Sequence, residues 1–158
     1  MSSRNDAFAK LSADLGLSFD GEIKVGGNYV AALRHENQVF ISGQVPRVGS
    51  EVKFTGRVGA ELSLAQARQA AQISIMRAIA LLQRSLDGDL GHVKQILRMN
   101  VYVQSADHFT QQSEVADAAS ELLYSLFGAA GTHARTSVGV YQLPKNAAVE
   151  IDLQAAVE

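Results

Sequence analysis

The chain has no cysteine, no tryptophan and only two prolines. Without cysteine there can be no disulfide, no thiolate nucleophile and no thiolate-bound metal. Cysteine usage is therefore silent on the cellular compartment. Little proline and 19% charged residues argue against long disordered stretches. An excess of one charge is also missing: 14 basic residues face 16 acidic ones, and the net charge is −2. That balance does not supply the concentrated basic face that RNA binding requires, so no nucleic-acid partner is expected. No apolar run approaches the roughly 18 residues of a membrane span. The start, Met1-Ser2-Ser3-Arg4-Asn5-Asp6, lacks the apolar core of a secretory signal. A soluble, cytoplasmic protein is the expectation. His35, His92 and His108 are scattered without metal-ligand spacing, and no phosphate-binding glycine loop occurs, so no metal site is expected.

What the chain does have is apolar residues, 47% of 158, enough for the core of one ordinary domain. Residues 1–158 are read as a single unit, with 1–19 as an N-terminal helical extension. Phe8, Leu11 and Leu15 recur at helical spacing, and Gly16 stops the first helix, read over 4–16. Ile23 and Val25 suggest a brief strand. Residues 29–33 and 38–42 read as a hairpin turning at His35-Glu36-Asn37, and 52–55 as another short strand. Ser63 and Gln66 have capping-box spacing, and Leu64, Ala67, Ala71, Ile75, Ala78 and Leu82 form the apolar stripe of a long helix ending near Asp87-Gly88. A strand over 94–104 follows. A further helix carries Val115, Ala119, Leu122 and Leu126 and ends at Phe127-Gly128. Strand–helix–strand order predicts an α+β fold, a mixed sheet with helices on one face. Its other face would be open to a partner subunit.

The most informative stretch is Arg135 to Pro144 followed by Glu150. Val138 and Val140 alternate with Ser137, Gly139 and Tyr141. Val149, Ile151 and Leu153 alternate with Glu150 and Asp152. This period of two predicts two strands, and Leu143-Pro144-Lys145-Asn146 is read as the turn joining them. Closed around Lys145, that hairpin would pair Glu150 near Val140, so that Arg135 and Glu150 flank a pocket. Arginine grips a carboxylate with two parallel hydrogen bonds, and a glutamate with a raised pKa moves protons. The pair suggests a pocket for a small carboxylic acid. His133, after the glycine-rich turn, is read as solvated or capping a backbone group.

Four segments occur together: Gly27-Asn28-Tyr29, Ile41-Ser42-Gly43-Gln44-Val45-Pro46, Asn100-Val101-Tyr102-Val103, and Arg135 to Pro144 with Val149-Glu150-Ile151. In this order and spacing the chain resembles the YjgF/RidA family, also known by the older name L-PSP endoribonuclease, over roughly residues 20–158. Gly131-Thr132-His133-Ala134-Arg135 resembles a longer branch that carries an extra N-terminal helix. The resemblance implies a chorismate-mutase-like (bacillus-type) α+β fold, a homotrimer, and pockets at the subunit interfaces. It implies hydrolysis of reactive enamines or imines to 2-keto acids and ammonia, with no metal or organic cofactor. Residue by residue, Arg135 matches the carboxylate-gripping arginine and Glu150 the glutamate that activates water. Tyr29, with Asn28 where the family has proline, and the Ser42-Gly43 pair match residues beside the ligand. Ser137 stands where a cysteine is frequent. Asp117 is assigned to the place of a pocket-lining asparagine, where a carboxylate would repel an anionic ligand. A non-catalytic module that binds small carboxylates is the alternative, and an endoribonuclease the third reading.

Overall fold

The computed structural model describes residues 2–158. The elements are α1 (Ser3–Asp14), β1 (Ala32–His35), β2 (Gln38–Gln44), β3 (Arg47–Val48), β4 (Glu51–Val52), α2 (Leu64–Ser85), β5 (Val93–Gln104), α3 (Gln112–Phe127), β6 (Ala134–Val140) and β7 (Val149–Val157). The capping box predicted for α2 is formed. The Gln66 backbone N–H donates to Ser63 Oγ at 3.2 Å, and the Ser63 N–H donates to Gln66 Oε1 at 2.9 Å. Left-handed Asp87 and Gly88 end that helix. Its apolar stripe lies against the sheet, where Ala67, Ala71, Ile75, Ala78 and Leu82 are fully buried. Residues 23–25 form no strand. Strand β4 is a two-residue partner of β3, and Thr55 makes only an isolated bridge to Ala147.

The five-stranded sheet runs β1-β2-β7-β5-β6, with β6 parallel to β5 and the other pairs antiparallel. This corrects the expected hairpin. The last two strands do not pair with each other, because β5 lies between them. Glu150 is opposite Tyr102, not Val140. The physical reason lies partly in β5, whose Met99, Val101 and Val103 are fully buried, so both its edges need ladder partners. The helical crossover α3 delivers β6 parallel to one edge, and β7 takes the other. The connection over 141–148 is carried across the end of β5 by Gln104, 1% exposed. Its Nε2 donates to Asn146 Oδ1 at 2.7 Å and to the Gly56 carbonyl at 3.0 Å, while its Oε1 accepts from the Leu143 N–H at 2.8 Å.

Helices α2 and α3 cover one face of the sheet. The opposite face carries no element of this chain. At its centre Asn100 donates to Asp152 at 2.9 Å, and Tyr102 reaches the same carboxylate at 3.4 Å. Leu33, Phe40 and Val138 stand exposed on this side of the sheet.

Candidate functional site

Ladder partners point to the same side of a sheet. Arg135 is paired with Met99, which is paired with Leu153, and both of these are buried beneath the helices. Arg135 therefore turns towards α3. Glu150 is paired with Tyr102, which is paired with exposed Val138, so Glu150 turns to the open face. Within one chain the structure separates the two residues that the sequence suggested as one pocket.

On the helix side, Arg135 is braced from several directions. Its Nη1 donates to Asp117 Oδ1 at 2.8 Å and to Ser120 Oγ at 3.0 Å, and Nη2 makes a long bond to the Ser113 carbonyl at 3.4 Å. The Gly131 carbonyl, 2.6 Å from His133 Nδ1, can only accept, so Nδ1 carries the proton. His133 Nε2 then accepts from the Ser120 hydroxyl at 2.9 Å. The histidine caps a backbone carbonyl, as one reading of the sequence had it, and orients the serine beneath Arg135. Asp117 lies in contact with Arg135 and holds one end of the guanidinium. The fork's Nε edge donates to no protein group among the described residues. Ser137 shares the Arg135 face of β6, two residues along.

Tyr29, Gly43 and Glu150 line one cavity of about 260 Å³, together with Arg47, Lys145 and, from α2, Arg77. Ser42 is not among its lining residues. Its hydroxyl donates to the Val30 carbonyl at 2.7 Å and its N–H to the Ala31 carbonyl at 2.9 Å, so it ties the Tyr29 segment to β2. Burial, and secondarily the Asp152 carboxylate, push the Glu150 carboxyl above its ordinary pKa. Because the folded value lies above the unfolded one, this group favours folding below the ordinary carboxylate range and loses that contribution as pH rises through the raised value. Glu150→Gln should therefore be more stable than the parent at about pH 7, with the gain gone near pH 4. Urea unfolding at both pH values checks this, and an equal difference at both refutes it.

Gly43 has a role that motif matching does not explain. It sits where the β2–β7 register shifts, and a Cβ built there would lie 2.6 Å from Glu150 Oε1 and 2.9 Å from its Cδ. The Glu150 side chain lies directly over the glycine. Since the clash is with the end of a flexible side chain, Gly43→Ala should leave the melting temperature nearly unchanged. It should displace the Glu150 carboxylate from its place over the strand. A crystal structure of the variant beside thermal melting checks both outcomes.

Arg77 was missed by sequence reasoning. It lies on the sheet-facing stripe Ala70, Ser74, Arg77, Leu81 of α2, every member buried. An arginine one turn from alanine and serine on a covered stripe was the available signal. Among the described residues no cluster of three or more His, Asp or Glu could hold a metal, and no helix is long and apolar enough to cross a membrane.

The family described as Endoribonuclease L-PSP matches residues 20–157. Protein TCP17 of Trypanosoma cruzi is 40% identical over 139 residues, which span 87% of this chain and 86% of that protein. The crystal structure of Atu1372 from Agrobacterium tumefaciens, described as of unknown function, is 32% identical with a TM-score of 0.88, covering 98% of this chain and 95% of its own. The YjgF gene product of E. coli is 25% identical with a TM-score of 0.58, covering 84% of this chain and 90% of its own. The chain belongs to the YjgF/RidA family, whose family description carries the name Endoribonuclease L-PSP.

Proposed function

We propose that this protein hydrolyses small carboxylate-bearing enamines and imines to 2-keto acids and ammonia, in pockets shared between the subunits of a homotrimer. The observation that carries this reading is the placement of Arg135 and Glu150 on opposite faces of one sheet. One subunit cannot close both around a small ligand. Arg135, however, stands on the edge strand β6, and a cyclic assembly can bring that edge to the open face of the next copy. Exposed Leu33, Phe40 and Val138 give such an assembly apolar surface to bury.

The chemistry needs few parts. Arg135 holds the substrate carboxylate through its free edge. The enamine takes a proton from solvent on its terminal carbon and becomes the iminium. Water adds to the iminium carbon while the Glu150 carboxylate accepts a proton from it. Glu150 returns that proton to nitrogen, and the carbinolamine expels ammonia as its hydroxyl proton passes back to solvent. One water is consumed and one ammonia leaves with each 2-keto acid. A carboxyl with a raised pKa suits both directions of transfer. The test is ammonia release from 2-aminoacrylate generated in situ. Equal rates for the parent and Arg135→Ala would end the proposal.

A second reading is a module that binds small carboxylates without turning them over. The Asp117–Arg135 ion pair favours it, because a resident carboxylate already occupies one end of the guanidinium. Calorimetry with 2-ketobutyrate, pyruvate and benzoate, showing binding without ammonia release, would select it.

A further inference from the structure

We infer that the cavity beside Glu150 contains a second anion subsite, which selects 2-keto and 2-imino acids bearing a further carboxylate in their side chain. The inference rests on the carboxylate-pocket reading above only for where the first carboxylate lies. Its foundation is Arg77, which is 7% exposed. A buried cation is ordinarily paired with a carboxylate. Arg77 is held instead by neutral groups: Nη1 donates to the Arg47 carbonyl at 3.0 Å and Nε to the Gln44 amide oxygen at 3.4 Å. None of the ion pairs among the described residues includes it. Burial, and then the positive charges of Arg47 and Arg84, lower its pKa to about 10. A guanidinium in that position is relieved when an anion enters beside it.

The surroundings point the same way. Lys24, Arg47 and Lys145 line the cavity with Arg77, and Glu150 is the one carboxylate among its lining residues. None of these cations forms an ion pair inside the cavity; Glu150 itself keeps its proton more readily than an ordinary carboxyl. A substrate with one carboxylate leaves this wall unanswered. A substrate with a second carboxylate on its side chain can place it against Arg77 and Arg47 while its reacting carbon stays near Glu150.

The experiment compares two five-carbon ligands that differ in the second carboxylate, 2-oxoglutarate and 2-ketopentanoate. Calorimetry is run on the parent and on the double variant Arg47→Gln/Lys145→Gln, whose positions lie outside the buried core. The parent should bind 2-oxoglutarate at least about tenfold more tightly. The ratio should shrink in the double variant, which removes two of the flanking cations and keeps Arg77. Equal affinities in the parent, failure of both ligands to bind, or a preference that survives undiminished in the double variant each overturns the subsite. Ammonia release is measured alongside. Turnover without a dicarboxylate preference overturns the subsite alone, whereas the preference without turnover overturns the hydrolase reading alone.

Discussion

Arg135→Ala should lower kcat/KM for 2-aminoacrylate by two to three orders of magnitude. Truncating one partner of a hydrogen-bonded charge pair at a binding site costs about 2–5 kcal/mol, and each ~1.4 kcal/mol is a factor of ten. Arg135→Lys should recover only part of this loss, since the ammonium keeps the charge without the planar fork. The variant must be shown to be folded, because alanine also leaves Asp117 and Ser120 without their shared donor. The two effects separate in the kinetics. A purely structural loss would reduce the active fraction and leave KM alone, whereas lost carboxylate binding raises KM. An unchanged KM in folded Arg135→Ala would contradict the assigned role.

Gly131→Ala should be the most damaging single methyl group in the chain. Gly131 is buried in the turn after α3, and a Cβ there would come within 2.8 Å of the Leu123 carbonyl carbon and closer still to its oxygen. Both are backbone atoms of a packed helix, so neither can swing aside. Overpacking of this kind costs about 1–3 kcal/mol, and the upper end is expected where backbone meets backbone. In a domain of this size, a loss of about 3 kcal/mol lowers the melting temperature by roughly 10 °C. The same shift would move the Gly131 carbonyl that orients His133. Thermal unfolding followed by circular dichroism decides the matter, and a change under about 2 °C would refute it.

These two predictions show how differently the site was written into the sequence. Helix α2 was readable because its cap and stripe are local. Arg135, Glu150 and Tyr29 could be named as candidates because their motifs are local in sequence. The pairing of β6 and β7 was not, because a period of two tells which residues share a face and says nothing of which strand is the neighbour. That neighbour was chosen by the buried edges of β5 and by Gln104, both distant in sequence. The roles of Gly43, Gly131 and Asp117 were likewise hidden. Each depends on a close approach to Glu150, Leu123 or Arg135 that is made only in the fold. Arg77 was hidden by its own charge, since polarity alone would place it in solvent.

The two faces of the sheet imply a genetic test as well as a chemical one. If Arg135 of one copy serves Glu150 of the next, two variants crippled for opposite reasons can repair each other. Co-expressed Arg135→Ala and Glu150→Gln chains would form mixed rings. In a ring of three with random assortment, about one site in four would join an intact arginine to an intact glutamate. Activity should therefore rise on co-assembly well above the small residue that either variant keeps alone. A site built within one chain could never show this complementation.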